Sequence, residues 1–124
     1  MSYVCSKPPV WSCSCHCKAC QKLSGAPFVS AFSVPSASVE ISGETISFTR
    51  ESDAGNRVRT SSCAHCGTRV FAQSDGAKHL INIFAGTLSD PSGFRPVSNV
   101  YLSEAASWID PPEADFNFPG MPAA

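Results

Sequence analysis

The chain has 124 residues, 43% of them hydrophobic and 15% charged, the make-up of one folded domain rather than a disordered segment. Nine basic residues stand against ten acidic ones for a net charge of −1, so no basic field marks a nucleic-acid binder and no nucleic-acid partner is expected. There is no run of 18 apolar residues to cross a membrane, and the opening MSYVCSKPPVWSCSC lacks the apolar stretch of a signal peptide, so no membrane partner and a cytoplasmic location are expected, where thiols are kept reduced.

Residues 1–12 read as irregular, because Pro8 and Pro9 interrupt regular structure. Residues 13–26 hold CSCHCKAC and end in a turn signal around Gly25 and Pro27. From there the pattern is of strands. FVSAFSV, 28–34, is rich in β-formers and stops at Pro35. SVEIS, 38–42, and TISFTR, 45–50, alternate on either side of Gly43-Glu44, which predicts a hairpin. SDAGN, 52–56, is a loop, and RVRTSS, 57–62, is a strand running into CAHCGTR. Further strands are expected at 70–74, 79–86 and 97–102, with turns at Asp75-Gly76 and SDPSG and one helical turn at 103–108. The tail 111–124, with four prolines in fourteen residues, reads as extended or disordered. The expected fold class is mostly β: a small domain of short antiparallel strands with few or no helices, spanning 13–110.

Seven cysteines in a reducing compartment point to metal ligands before disulfides, and a CxC pair is strained as a disulfide. Cys63-Ala64-His65-Cys66-Gly67 is a CxxCG knuckle: two thiolates can bind one tetrahedral ion from a tight turn, and Gly67 permits the positive φ that aims backbone N–H groups at sulfur. A redox pair would need a βαβ pattern or a helix N-terminus around it, and neither is evident. In the other group, Cys15, Cys17 and Cys20 supply three sulfurs and leave a fourth position open, the layout of a catalytic zinc site. Alternatively Cys13 closes a four-sulfur site, since residues 13, 15 and 17 of an extended chain point the same way. The spacing leaves both open.

CHCKACQKLSGAPFVSAFSVP, CAHCGTRVF, INIFAGTLSDPSGFRP and SEAASWID together resemble the glutathione-dependent formaldehyde-activating enzyme family, which also includes centromere protein V. The resemblance runs from about residue 13 to 110. It implies a zinc-stapled β-tent domain. It also implies one zinc on Cys15, Cys17 and Cys20, which are then the catalytic residues, and a second, structural zinc on Cys63 and Cys66. The family usually opens with a strand pair carrying GxCxCGxVxY. Here only Cys5 and Cys13 precede the CxCxxC, so that first hairpin reads as shortened or missing, as in a truncated or degenerate member. Cys5, Cys13, His65 or a water would complete the second site, and one or two Zn2+ ions are expected. A sheet edge bared by the loss is a dimerisation surface, so a homodimer is expected; light scattering that finds only monomer would remove it.

The reaction the resemblance implies is addition of the glutathione sulfur to formaldehyde, giving S-hydroxymethylglutathione, a reversible carbon–sulfur lyase-type step with a small-molecule thiol and an aldehyde as partners. The alternative is a non-catalytic zinc-stapled protein-interaction domain, or a thiol protein that buffers metal or redox state. Arg57 and Arg59 share one strand face; this reads as a solvated face, with carboxylate binding as the other possibility. Lys18 and Lys22 flank the thiols, either balancing their charge or simply solvated. His16 reads as turned outward by alternation, with proton relay as the sharper alternative. His65 reads as surface and His79 as structural. Phe28, Phe32, Phe71 and Phe84 read as core, and Trp108 as covering one end of the sheet.

Overall fold

The computed structural model describes residues 1–122. In chain order the elements are β1 (Ser2–Cys5), β2 (Trp11–Cys15), α1 (Lys18–Ser24), β3 (Val29–Pro35), β4 (Val39–Ser42), β5 (Thr45–Glu51), β6 (Arg57–Cys63), β7 (Arg69–Ser74), β8 (Leu80–Phe84), β9 (Ser98–Val100) and β10 (Phe116–Asn117), with short 3₁₀ turns between several of them. Eight strands form one sheet in the order β10-β9-β2-β3-β8-β7-β6-β5, and β1 pairs with β4 in a small second sheet. The fold is thus mostly β with a single α-helix among the described residues. The neighbours in β5 to β8 pair antiparallel, but β9 runs parallel to both β2 and β10, so the sheet is mixed rather than wholly antiparallel.

Phe32, Val34, Val70, Phe71, Ile81, Ile83 and Ala85 form the core, with Tyr3, Cys5 and Val39 of the small sheet packed against it. Alternation explains the lid: β1 turns Tyr3 and Cys5 inward and leaves Ser2 and Val4 in solvent. Three consecutive residues of β7, Val70 to Ala72, are buried, which strict alternation forbids. A bulge at Ser61/Ser62 of the β6–β7 ladder leaves Val70 unpaired, since Ser61 faces Phe71 while Ser62 faces Arg69, and covering of both faces buries the rest, as it does Phe32 to Val34 of β3. Ile83 is 1% exposed at the centre of the sheet. Ile83→Val removes one methylene there and is expected to cost about 1 kcal/mol, read as a lower urea midpoint at unchanged slope; an unchanged midpoint would show that the site collapses to fill the gap.

Several sequence expectations are corrected. Residues 1–12 are not irregular, because β1 and the start of β2 are paired strands. The 38–42/45–50 hairpin does not form. β4 makes its four pairs with β1, while β5 finds a longer seven-residue register with β6, and Gly43 (φ 101) turns the chain from one sheet to the other beneath the Met1 backbone, where a Cβ would come within 2.8 Å of Met1 Cα. Trp108 is 74% exposed; segment 118–120 lies beside Tyr101–Ser103 instead. There the backbone N–H groups of Tyr101, Leu102 and Ser103 donate to the carbonyls of Gly120, Phe118 and Pro119. A proline-rich segment lacks donors but keeps its acceptors, so it can serve this edge. Of the tail, 112–120 is thus docked, and 123–124 lie outside the described residues.

Candidate metal centre

Cys15 ends β2, Cys17 is the N-cap of α1 and Cys20 lies in that helix's first turn. The helix is short, but Ala19, Gln21, Lys22 and Leu23 are good helix formers, and Gly25 closes it in the left-handed conformation (φ 66) with its N–H on the Gln21 carbonyl. The Cys20 N–H donates to Cys17 Sγ at 3.3 Å, so a thiol does the work usually done by a hydroxyl or carboxylate cap. Strand end and helix start thereby converge: the sulfurs of Cys15, Cys17 and Cys20 all lie within 4.8 Å of one another, and among the described residues this is the one such group of three. Within the trio Cys17 is the acceptor. Hydrogen bonds with Cys15 and then Cys20 pull its thiol down, and the same bond with Cys17 is the largest cause pushing Cys15 up. Three soft sulfurs of which one already favours the thiolate are a donor set that suits zinc.

Cys13 stays outside that group. It is half-buried on β2, and burial, followed by the charge of Cys17, pushes its thiol up to about 11. Cys63 and Cys66 sit at the end of β6 and in the turn to β7, where Gly67 (φ 77) donates to the Cys63 carbonyl. The backbone N–H groups of Cys66 and His65 draw the Cys63 thiol down to about 7. Cys66 Sγ is 3.1 Å from Thr68 Oγ1. Cys5, Cys63, Cys66 and exposed His65 line one cavity of about 770 Å³, but their sulfurs do not gather as the first three do.

His16 is not turned outward. It is 2% exposed, its ring centroid lies 5.1 Å from that of Phe28, and Nε2 is 2.9 Å from Asn99 Oδ1. Asn99 Nδ2 donates to the Pro112 carbonyl at 2.7 Å and to Asn117 Oδ1 at 3.0 Å. Both amide hydrogens are committed, so Oδ1 must accept and His16 Nε2 must carry the hydrogen. The helix is also tied to the late chain: Glu104 Oε1 accepts from the Lys18 N–H, and Gln21 Nε2 donates to the carbonyls of His16 and Glu104. Tyr101, the one non-glycine residue with positive φ (57) among those described, donates to both oxygens of Asp53 at 2.8 Å. Asn99, Gln21, Glu104 and Tyr101 escaped the sequence reading; an Asn inside VSNVYL was the available sign.

Arg57 and Arg59 are exposed, as a solvated face requires. His79 is exposed too, and contributes only its carbonyl, to the Ser36 N–H. Phe32 and Phe71 are core, whereas Phe28 and Phe84 are half-buried. No described helix is long and apolar enough to cross a membrane.

These features define a small β domain whose three gathered thiols could hold one metal ion. Residues 1–104 match the sequence profile of the glutathione-dependent formaldehyde-activating enzymes, and the chain belongs to that family. No curated protein matches it.

Proposed function

We propose that the chain is a zinc-dependent carbon–sulfur lyase-type enzyme of the cytoplasm, forming and cleaving the adduct of a small thiol such as glutathione with an aldehyde such as formaldehyde. The observation that carries this reading is the convergence of Cys15, Cys17 and Cys20 at one point, three donors where a closed structural site takes four. Zinc held by these residues would supply the positive charge that favours a deprotonated substrate thiol. The chain's own residues prepare the place. The α1 N-cap fixes Cys17 against Cys20, the buried His16 ring between Cys15 and Cys17 in the chain is held by Asn99 and Phe28, and Gln21 with Glu104 anchors the helix start. In the reaction the substrate sulfur gives an electron pair to the carbonyl carbon, the π pair moves to oxygen, and the proton lost by the thiol is the one the oxygen gains. No further reactant is needed.

The test is exchange NMR on glutathione, formaldehyde and S-hydroxymethylglutathione at equilibrium. The zinc-loaded protein is expected to speed exchange above the buffer rate. An unchanged rate with zinc bound would remove the catalytic reading and leave that of a zinc-stapled interaction domain.

A further inference from the structure

A second cavity, of about 540 Å³, opens between α1 and one face of β5 and β6. Its walls include Lys22 and Leu23 of the helix, Phe48 and Arg50 of β5, and Arg69 of β7. Register explains the set. Phe48 and Arg50 lie on one face of β5, and in the antiparallel ladder they stand opposite Thr60 and Val58. Arg57 and Arg59 alternate to the other face. The β6–β7 bulge then sets Arg69 opposite Ser62, on the cavity side.

Three cations therefore face one cavity whose lining contains no carboxylate. In a chain of net charge −1 this is a local excess. The one ion pair among the described residues, Arg95 with Asp115, involves none of them. Arg50 carries a further sign: its Nε is buried without a hydrogen-bond partner, alone in this among the side-chain nitrogens and oxygens described. A buried guanidinium N–H left unpaired is costly, and a carboxylate laid side-on to Arg satisfies it. The cavity neighbours the metal centre: α1 supplies both Cys20 and the wall residues Ala19, Lys22 and Leu23, and the charge of Arg50 acts on the thiols of Cys17 and Cys20.

We propose that Arg50 is the specificity-determining residue of this site, holding a carboxylate of the thiol substrate between Lys22 and Arg69 while the apolar part of the substrate lies on Phe48 and Leu23. The ligand class is a small thiol with at least one carboxylate, its sulfur reaching toward Cys15, Cys17 and Cys20. The proposal rests on the enzyme reading for the role of the sulfur, but the carboxylate subsite can be tested without any chemistry.

The probe is S-methylglutathione, which keeps the carboxylates and cannot react, compared by calorimetry with its diester on zinc-loaded protein. The wild type is expected to prefer the free acid. Arg50→Gln should weaken the acid by about 10–100-fold, the loss expected for one charged hydrogen-bonded contact, leave the diester within about twofold, and keep its zinc. Lys22→Gln and Arg69→Gln, on two other walls of the cavity, should each weaken the acid by a few-fold, and they carry the test if Arg50→Gln does not fold. Equal affinity for acid and diester in the wild type, or loss of both together in these variants, would overturn the subsite. Selective loss of the acid by a protein that never speeds formaldehyde exchange would support the subsite and reject the enzyme reading.

Discussion

Cys17→Ser is expected to lose one equivalent of zinc and stay folded. Wild-type protein should retain that equivalent through dialysis, measured by elemental analysis beside thiol titration. Cys17 supplies one of the three gathered sulfurs and accepts from the Cys20 N–H. Serine takes over the capping role, since its oxygen is among the preferred N-cap acceptors, so α1 keeps its start. It does not take over the metal role, because a neutral hydroxyl is a poor ligand for zinc beside two thiolates. None of the three thiols belongs to the core from Phe32 to Ala85, so circular dichroism and the urea midpoint should hold while the metal goes. An unfolded variant would show that the ion staples the fold. A variant with full zinc would exclude the trio as its holder.

Asn99→Ala should act on stability and metal affinity together. It leaves the His16 Nε2–H, the Pro112 carbonyl and the Asn117 amide without their partner. The exposed Asn117 amide finds water, but the buried His16 N–H and the half-buried Pro112 carbonyl left unpaired cost about 2–4 kcal/mol together, a large share of the stability of a domain this size. His16 lies between two of the three thiols, so freeing its ring loosens the path from Cys15 to Cys17. Residues supporting a ligand in this way are typically worth about 10–100-fold in metal affinity. Urea unfolding of the metal-free protein and chelator competition on the loaded protein separate the two effects. An unchanged midpoint with unchanged affinity would show that water replaces the amide.

The thiols were legible because metal chemistry is local: CxCxxC places three sulfurs within six residues whatever the fold. The strands were legible where alternation meets one buried face, as in 57–62 and 79–86. α1 was not, since seven residues hold too little periodicity and its cap is a cysteine. The partner of β4 was not, because two adjacent alternating runs look like a hairpin whether or not a distant strand competes for one of them. His16 keeps the alternation of β2, falling on the face of buried Ser12 and Ser14; what the sequence could not show is that this face, rather than that of the cysteines, is the more deeply buried one. Arg50 could not be singled out from nine basic residues, because its neighbours depend on the register with β6 and on a bulge two strands away.

The docking of 112–120 onto β9 sets an order of events in time. During synthesis the thiols of 15–20 leave the ribosome about 100 residues before Asn117, which at ordinary elongation rates is roughly 5–20 s. For most of that interval three cysteines are present while Asn99, β9 and the carbonyls of the tail are not. On the zinc reading proposed above, the nascent chain could capture an ion with a loose hairpin of sequence, and residues 112–120 would then close around an arrangement already formed. On that reading, a product stalled before Asn99 would still carry the three thiols but would lack the amide that holds His16 beside them.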